Sequence, residues 1–128
     1  MADTQLFVGS INTGHAIIST SNLLLDGTGS MGIIFTAGPA GGTVDKILIK
    51  ALSTTSSGVV SIFLSNGVDA PWLITQTTID GILPSTIATT FETVITTSDI
   101  FRIPPGWSLL ASTTKSEFFS VTAFGWDY

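Results

Sequence analysis

The sequence predicts an all-β protein: a single jelly-roll-like β-sandwich domain over residues 1–128, with about eight antiparallel strands. Three observations predict it. Apolar residues alternate with period two in short runs rich in Val, Ile and Thr. Gly and Pro clusters punctuate these runs at a spacing of roughly ten residues. Strong helix formers are scarce, with Glu, Lys, Arg and Gln together numbering eight, and Thr-rich stretches lose side-chain freedom in a helix.

The elements follow in chain order. Residues 1–30 read as an amino-terminal arm plus a first strand, AIIST, over 16–20. MGIIFTA over 31–37 is the second run. VDKILIKAL from Val44 sets Asp45, Ile47, Ile49 and Ala51 on one face against Val44, Lys46, Leu48 and Lys50 on the other. In GVVSIFLSNG, Val60, Ile62 and Leu64 oppose Val59, Ser61, Phe63 and Ser65. PWLITQTT (71–78), TTFETVITT (89–97), WSLLAST (107–113) and EFFSVTAFGW (117–126) complete the set. Between them, Asp26-Gly27-Thr28-Gly29 reads as a hairpin turn and Asn66-Gly67 as a two-residue turn. Gly38-Pro39-Ala40-Gly41-Gly42, Asp80-Gly81 and Pro104-Pro105-Gly106 are further breaks, and Ser53–Ser57 reads as a solvated loop. No repeat of 20 to 50 residues is present, which excludes solenoids and propellers.

Composition bounds the function. Only 13 residues are charged, 4 basic and 9 acidic, for a net charge of −5. On a folded monomer of roughly 6,500 Å² that is about one charge per ~500 Å². Ser and Thr number 35, yet mean hydropathy is +0.54, so an isolated monomer is not the expected working form. Four scattered cations, Lys46, Lys50, Arg102 and Lys115, cannot build the positive surface that nucleic acid or an anionic membrane demands. Without Cys there is no disulfide framework, thiolate zinc site or cysteine nucleophile. No signal peptide or membrane helix is legible, so synthesis in a cytoplasm is expected.

The catalytic inventory is thin. His15 is the single imidazole, which leaves a triad one base and a histidine metal cluster one ligand. It reads as a surface residue flanking the strand that begins at Ala16. The acids sit singly beside Gly, Ser, Thr or Pro, as turn and strand-end carboxylates do, not as a catalytic pair. Gly38–Gly42 lacks the Lys-Ser/Thr of a phosphate loop, and Asn66–Asp69 offers two of the several oxygens a calcium loop needs. The expectation is therefore no enzyme, no cofactor and no metal. Aromatics remain. Trp72, Trp107 and Trp126 lie at strand ends beside Pro or Gly, and Phe124, Trp126 and Tyr128 alternate along the last strand. Trp126, Tyr128 and Trp72 are the candidate interface residues, and Trp107 is assigned to the core. A competing use of the tryptophans is a stacking platform for carbohydrate.

The stretch from Phe35 through Gly41-Gly42-Thr43-Val44-Asp45-Lys46-Ile47-Leu48-Ile49-Lys50-Ala51 into Gly58–Leu64 resembles small virion proteins of tailed bacteriophages. So does the ending Pro105–Thr113 with Phe119–Gly125. The resemblance covers the chain from about residue 31 and implies a capsid cement or decoration protein. It further implies a homotrimer seated on the major capsid protein where capsomers meet, made in the host cytoplasm and residing in the virion. A tail or baseplate component is the alternative. The shared positions look structural, so no functional residues transfer.

Overall fold

The computed structural model describes residues 10–128, the side chains of residues 97–100 excepted. Eight strands are found among them: β1 (Ile11–Ile18), β2 (Gly32–Thr36), β3 (Gly42–Ala51), β4 (Gly58–Ser65), β5 (Trp72–Ile79), β6 (Glu92–Ile103), β7 (Ser108–Thr113) and β8 (Phe119–Asp127). They form two four-stranded sheets, ordered β1-β8-β3-β6 and β2-β7-β4-β5. Antiparallel pairs join β1 to β8, β2 to β7, β3 to β6 and β4 to β5. This is the pairing of one long hairpin, β4–β5 at its tip, rolled so that successive strand pairs fall alternately in the two sheets. It is the jelly-roll topology.

Inward residues of both sheets make one core. β3 contributes Val44, Ile47 and Ile49, and β8 contributes Phe119, Val121 and Ala123. From the other sheet come Ile34, Phe35, Val60, Ile62, Leu109 and Ala111. A bulge between Val44 and Lys46 shifts the β3 register, which lets Val44 and Ile47 both face inward. Where β1 passes close to β2 the chain uses glycine. A Cβ on Gly14 would lie 2.2 Å from the Ile34 carbonyl oxygen, so β1 and β2 could not sit at this distance with any other residue there.

Beyond this bulge, which turns Val44 to the core although its alternation puts it opposite Ile47, four details differ from the sequence expectation. β1 begins at Ile11, five residues before the predicted run, and His15 lies within it instead of flanking it. Its inward residues, Asn12, Gly14 and Ala16, are polar or small while Ile11 and Ile17 face out, so the alternation is inverted and hides the strand. Asp26–Gly29 is not a hairpin turn, because β1 and β2 belong to different sheets. Asn66-Gly67 is not a two-residue turn either: residues 66–71 connect β4 and β5, and Asn66 Oδ1 accepts the N–H groups of Val68 and Asp69. The 53–57 loop is only partly solvated. Thr55 is buried, its hydroxyl donating to the Asp80 carbonyl and accepting the Ile82 N–H.

Candidate interaction surfaces

Residues 19–31, between β1 and β2, strap the outer face of the β2-β7-β4-β5 sheet. The strap is anchored at one end by Asn22, whose N–H donates to the Thr113 carbonyl at the end of β7, 2.8 Å away. Further on, Gly27, at φ +87°, lies so close to Pro71, just before β5, that a Cβ there would come within 2.0 Å of the Pro71 oxygen. Between these anchors the strap must pass over β4. The β4 side chains that face away from the core, Ser61 and Phe63, are accordingly buried, as is Ser112 on β7. Asn22 itself is buried, and its side chain holds the strap's shape. Nδ2 donates to the carbonyls of Thr28 (2.9 Å) and Ser30 (3.0 Å), and Oδ1 accepts the Leu24 N–H (3.0 Å). Asp26 Oδ1 accepts the Thr28 hydroxyl (2.5 Å) and N–H (3.1 Å). Those bonds, the hydroxyl first, hold the Asp26 carboxyl below its ordinary value.

What the strap presents outward is three consecutive leucines, Leu23, Leu24 and Leu25, at 72%, 49% and 52% exposure. Val68, in the β4–β5 turn that ends at Pro71, is also exposed. Sequence reasoning missed this surface. The available signal was a run of three apolar residues flanked by Asn22 and Asp26-Gly27, which has the length of neither a strand nor a helix.

The opposite sheet, β1-β8-β3-β6, carries a different outer face. The register puts Ile11, Trp126, Thr43 and Arg102 in one cross-strand row, Thr13, Phe124, Lys46 and Thr96 in the next, then His15, Thr122, Leu48 and Val94. Lys46 lies over the Phe124 ring, 5.4 Å from its centroid. Lys50 pairs with Glu92 at 3.5 Å. Tyr128 hydrogen-bonds through its hydroxyl to that of Thr43, which is buried beneath it, and its N–H donates to the Gly41 carbonyl. Two of the three candidate interface residues, Trp126 and Tyr128, thus share one face, half-buried and exposed respectively. Asp127 points the other way and ties β8 to its surroundings, accepting from Asn12 Nδ2 and the Gly38 N–H.

Trp72 is elsewhere. It sits at the start of β5 at the end of the sandwich, 40% exposed, and meets Trp107 edge to face with centroids 5.6 Å apart and planes at 89°. Trp107 packs against the core cluster. An edge-to-face pair does not offer two coplanar indole faces to a sugar.

At the end where β3, β5 and β7 finish, Leu52, Leu83, Ile87 and Phe118 are exposed on loops cross-tied by Thr55 and by Glu117, which accepts the Ser56 N–H and hydroxyl. A shallow cleft of about 230 Å³ lies between the end of β1 and the start of β2, smaller than the ~300 Å³ at which small-molecule sites begin. Among the described residues no group of three His, Asp or Glu is placed to hold a metal, and no helix is long and apolar enough to cross a membrane.

No protein-family model matches the sequence, and no curated protein does. Among solved structures, the chain is similar to one described as the cyanophage Pam1 capsid asymmetric unit. Sequence identity is 13% and the TM-score 0.49, over 100% of this chain and 92% of that one. It is also similar to part of dimeric latent PorU from Porphyromonas gingivalis, at 13% identity and a TM-score of 0.37, over 95% of this chain and 13% of that one.

Proposed function

We propose that the chain is a non-enzymatic structural protein of a tailed-phage virion, a cement or decoration protein that joins its own copies as a trimer and binds between capsomers of the major capsid protein. The observation that carries this reading is the exposed apolar surface. Fourteen large apolar or aromatic side chains are exposed among the described residues, on the strap, on both sheets and at both ends of the sandwich. A chain with 13 charges in 128 residues does little to offset them. Surfaces of this kind lose little on desolvation when they meet a partner. Contacts of about 1,600 Å² suffice for specific association, and repetition on a shell multiplies weak contacts through effective concentration. The resemblance of the Phe35–Leu64 and Pro105–Gly125 stretches to phage virion proteins supports the same class.

The test is binding of the purified protein to phage heads stripped of it, beside a glycan array, for the wild type and Trp126→Ala. Saturable binding to heads is expected, with Trp126→Ala weakening it by about 2 kcal/mol, roughly thirtyfold. Saturable glycan binding with none to heads overturns the reading in favour of a carbohydrate-binding module.

A further inference from the structure

The two outer faces of the sandwich differ in a way that makes them partners for each other. The face of β1-β8-β3-β6 carries three of the four cations, Lys46, Lys50 and Arg102, among aromatic and aliphatic side chains. The strap face carries the three exposed leucines followed at once by Asp26, and Asp69 in the adjoining turn is exposed too. The fourth cation, Lys115, lies in the β7–β8 loop. We propose that these faces are the two halves of one head-to-tail contact: the strap of one copy docks on the β1-β8-β3-β6 face of the next. This rests on the reading that the protein associates with its own copies, and it names the surfaces.

Two physical arguments favour a second copy as the occupant. The strap is already ordered by Asn22 and by the Asp26–Thr28 bonds, so its leucines form a fixed knob that loses little conformational freedom on docking. Charge and apolar content also match across the contact. Asp26 would come to Lys46 and Arg102, the Glu92 carboxylate on that face being already paired with Lys50, and the leucines would come to the surface built by Phe124, Trp126 and Ile11. A contact between two different patches is heterologous, and it closes into a ring or runs open according to the rotation it imposes.

A heterologous contact has a signature that a two-fold contact lacks. Leu24→Ser damages only the strap, and Lys46→Glu damages only the sheet face. Both residues are outside the core, so both variants should keep the wild-type thermal melt; Leu25→Ser and Arg102→Glu serve as replacements if either does not. Sedimentation at about 50 μM, above the micromolar limit of standard interfaces, should show wild type as a multiple of 13.4 kDa. Each variant alone should be monomeric. Mixed in equal amounts, they should form a particle of two chains and nothing larger, since one intact strap meets one intact face. A monomeric wild type, variants that keep the wild-type mass, or a mixture that stays monomeric overturns the proposal. Binding of the same samples to stripped heads separates the outcomes: head binding by a monomeric wild type sinks the head-to-tail contact alone, and an intact contact without head binding sinks the cement role alone.

Discussion

Asn22→Ala tests whether the strap is a built element or a loop resting on the sheet. The side chain makes three hydrogen bonds, to the Thr28 and Ser30 carbonyls and from the Leu24 N–H, at 2.9 to 3.0 Å and nearly out of contact with water. At a net value of about 1 kcal/mol each, their joint loss costs about 3 kcal/mol, eased toward 2 if water reaches the freed groups. With a urea dependence of roughly 1–3 kcal/mol/M, the unfolding midpoint should fall by about 0.7–3 M. Asn22→Asp is the sharper control. It keeps the acceptor for Leu24 but loses both donors and turns a carboxylate toward two carbonyls, so it should be no more stable than the alanine variant. Hydrogen exchange at the Leu24 amide should quicken in Asn22→Ala ahead of that in β3 and β8, because the strap opens locally first. A loss below about 0.5 kcal/mol, with Leu24 exchange unchanged, would refute the reasoning and leave Phe63 burial as what holds the strap.

The remaining predictions concern the core, the sandwich end and pH. Gly14→Ala should destabilise by at least ~1–3 kcal/mol in chemical denaturation, because its Cβ would meet the Ile34 oxygen at 2.2 Å. Trp107→Ala should cost ~3–5 kcal/mol of folding stability, and Trp72→Ala, at a site 40% exposed, clearly less; equal losses would remove the core assignment of Trp107. The Asp26 carboxyl should titrate below 3.8 by NMR. Its lowered folded value means that its contribution to the strap is complete above the unfolded value and is lost as pH falls through the folded one. Thr28→Val, which keeps the N–H but removes the hydroxyl, should bring the titration back toward 3.8.

The strands legible in the sequence were those whose inward positions hold large apolar side chains. β3, with Ile47 and Ile49, and β8, with Phe119, Val121 and Ala123, show their core face directly, whereas Val44 falls on the other face by alternation and turns inward only because of the bulge before Lys46. β1 does not, because its inward positions hold Asn12, Gly14 and Ala16: the Ile34 carbonyl leaves room for glycine alone at 14, and Asn12 donates to the Thr36 carbonyl and Asp127. β4 is legible as a strand, but its alternation only sets Ser61 and Phe63 opposite Val60, Ile62 and Leu64 and does not say what covers them. They are buried only because a segment some forty residues earlier folds over them, a long-range fact that no local pattern records. The same blindness separates the two outer surfaces. That Trp126 and Tyr128 share a face is legible because they alternate along the last strand, whereas the exposure of Leu23–Leu25 follows only from the Asn22 and Gly27 anchors that hold them outward.

That division bears on how assembly can be separated from folding. On the strapped face the chain supplies its own cover, so Phe63 belongs to stability even though it lies outside the main core. On the β1-β8-β3-β6 face Ile11, Val94 and Tyr128 stay exposed and contribute little burial to the folded monomer. A substitution at Phe63 should therefore lower stability and association together, through the loosened strap. One at Ile11 or Val94 should change association with the melting transition held nearly constant. If Ile11→Ser instead lowered stability as much as Phe63→Ala, the exposed face would be part of the fold and could not be a surface kept for a partner.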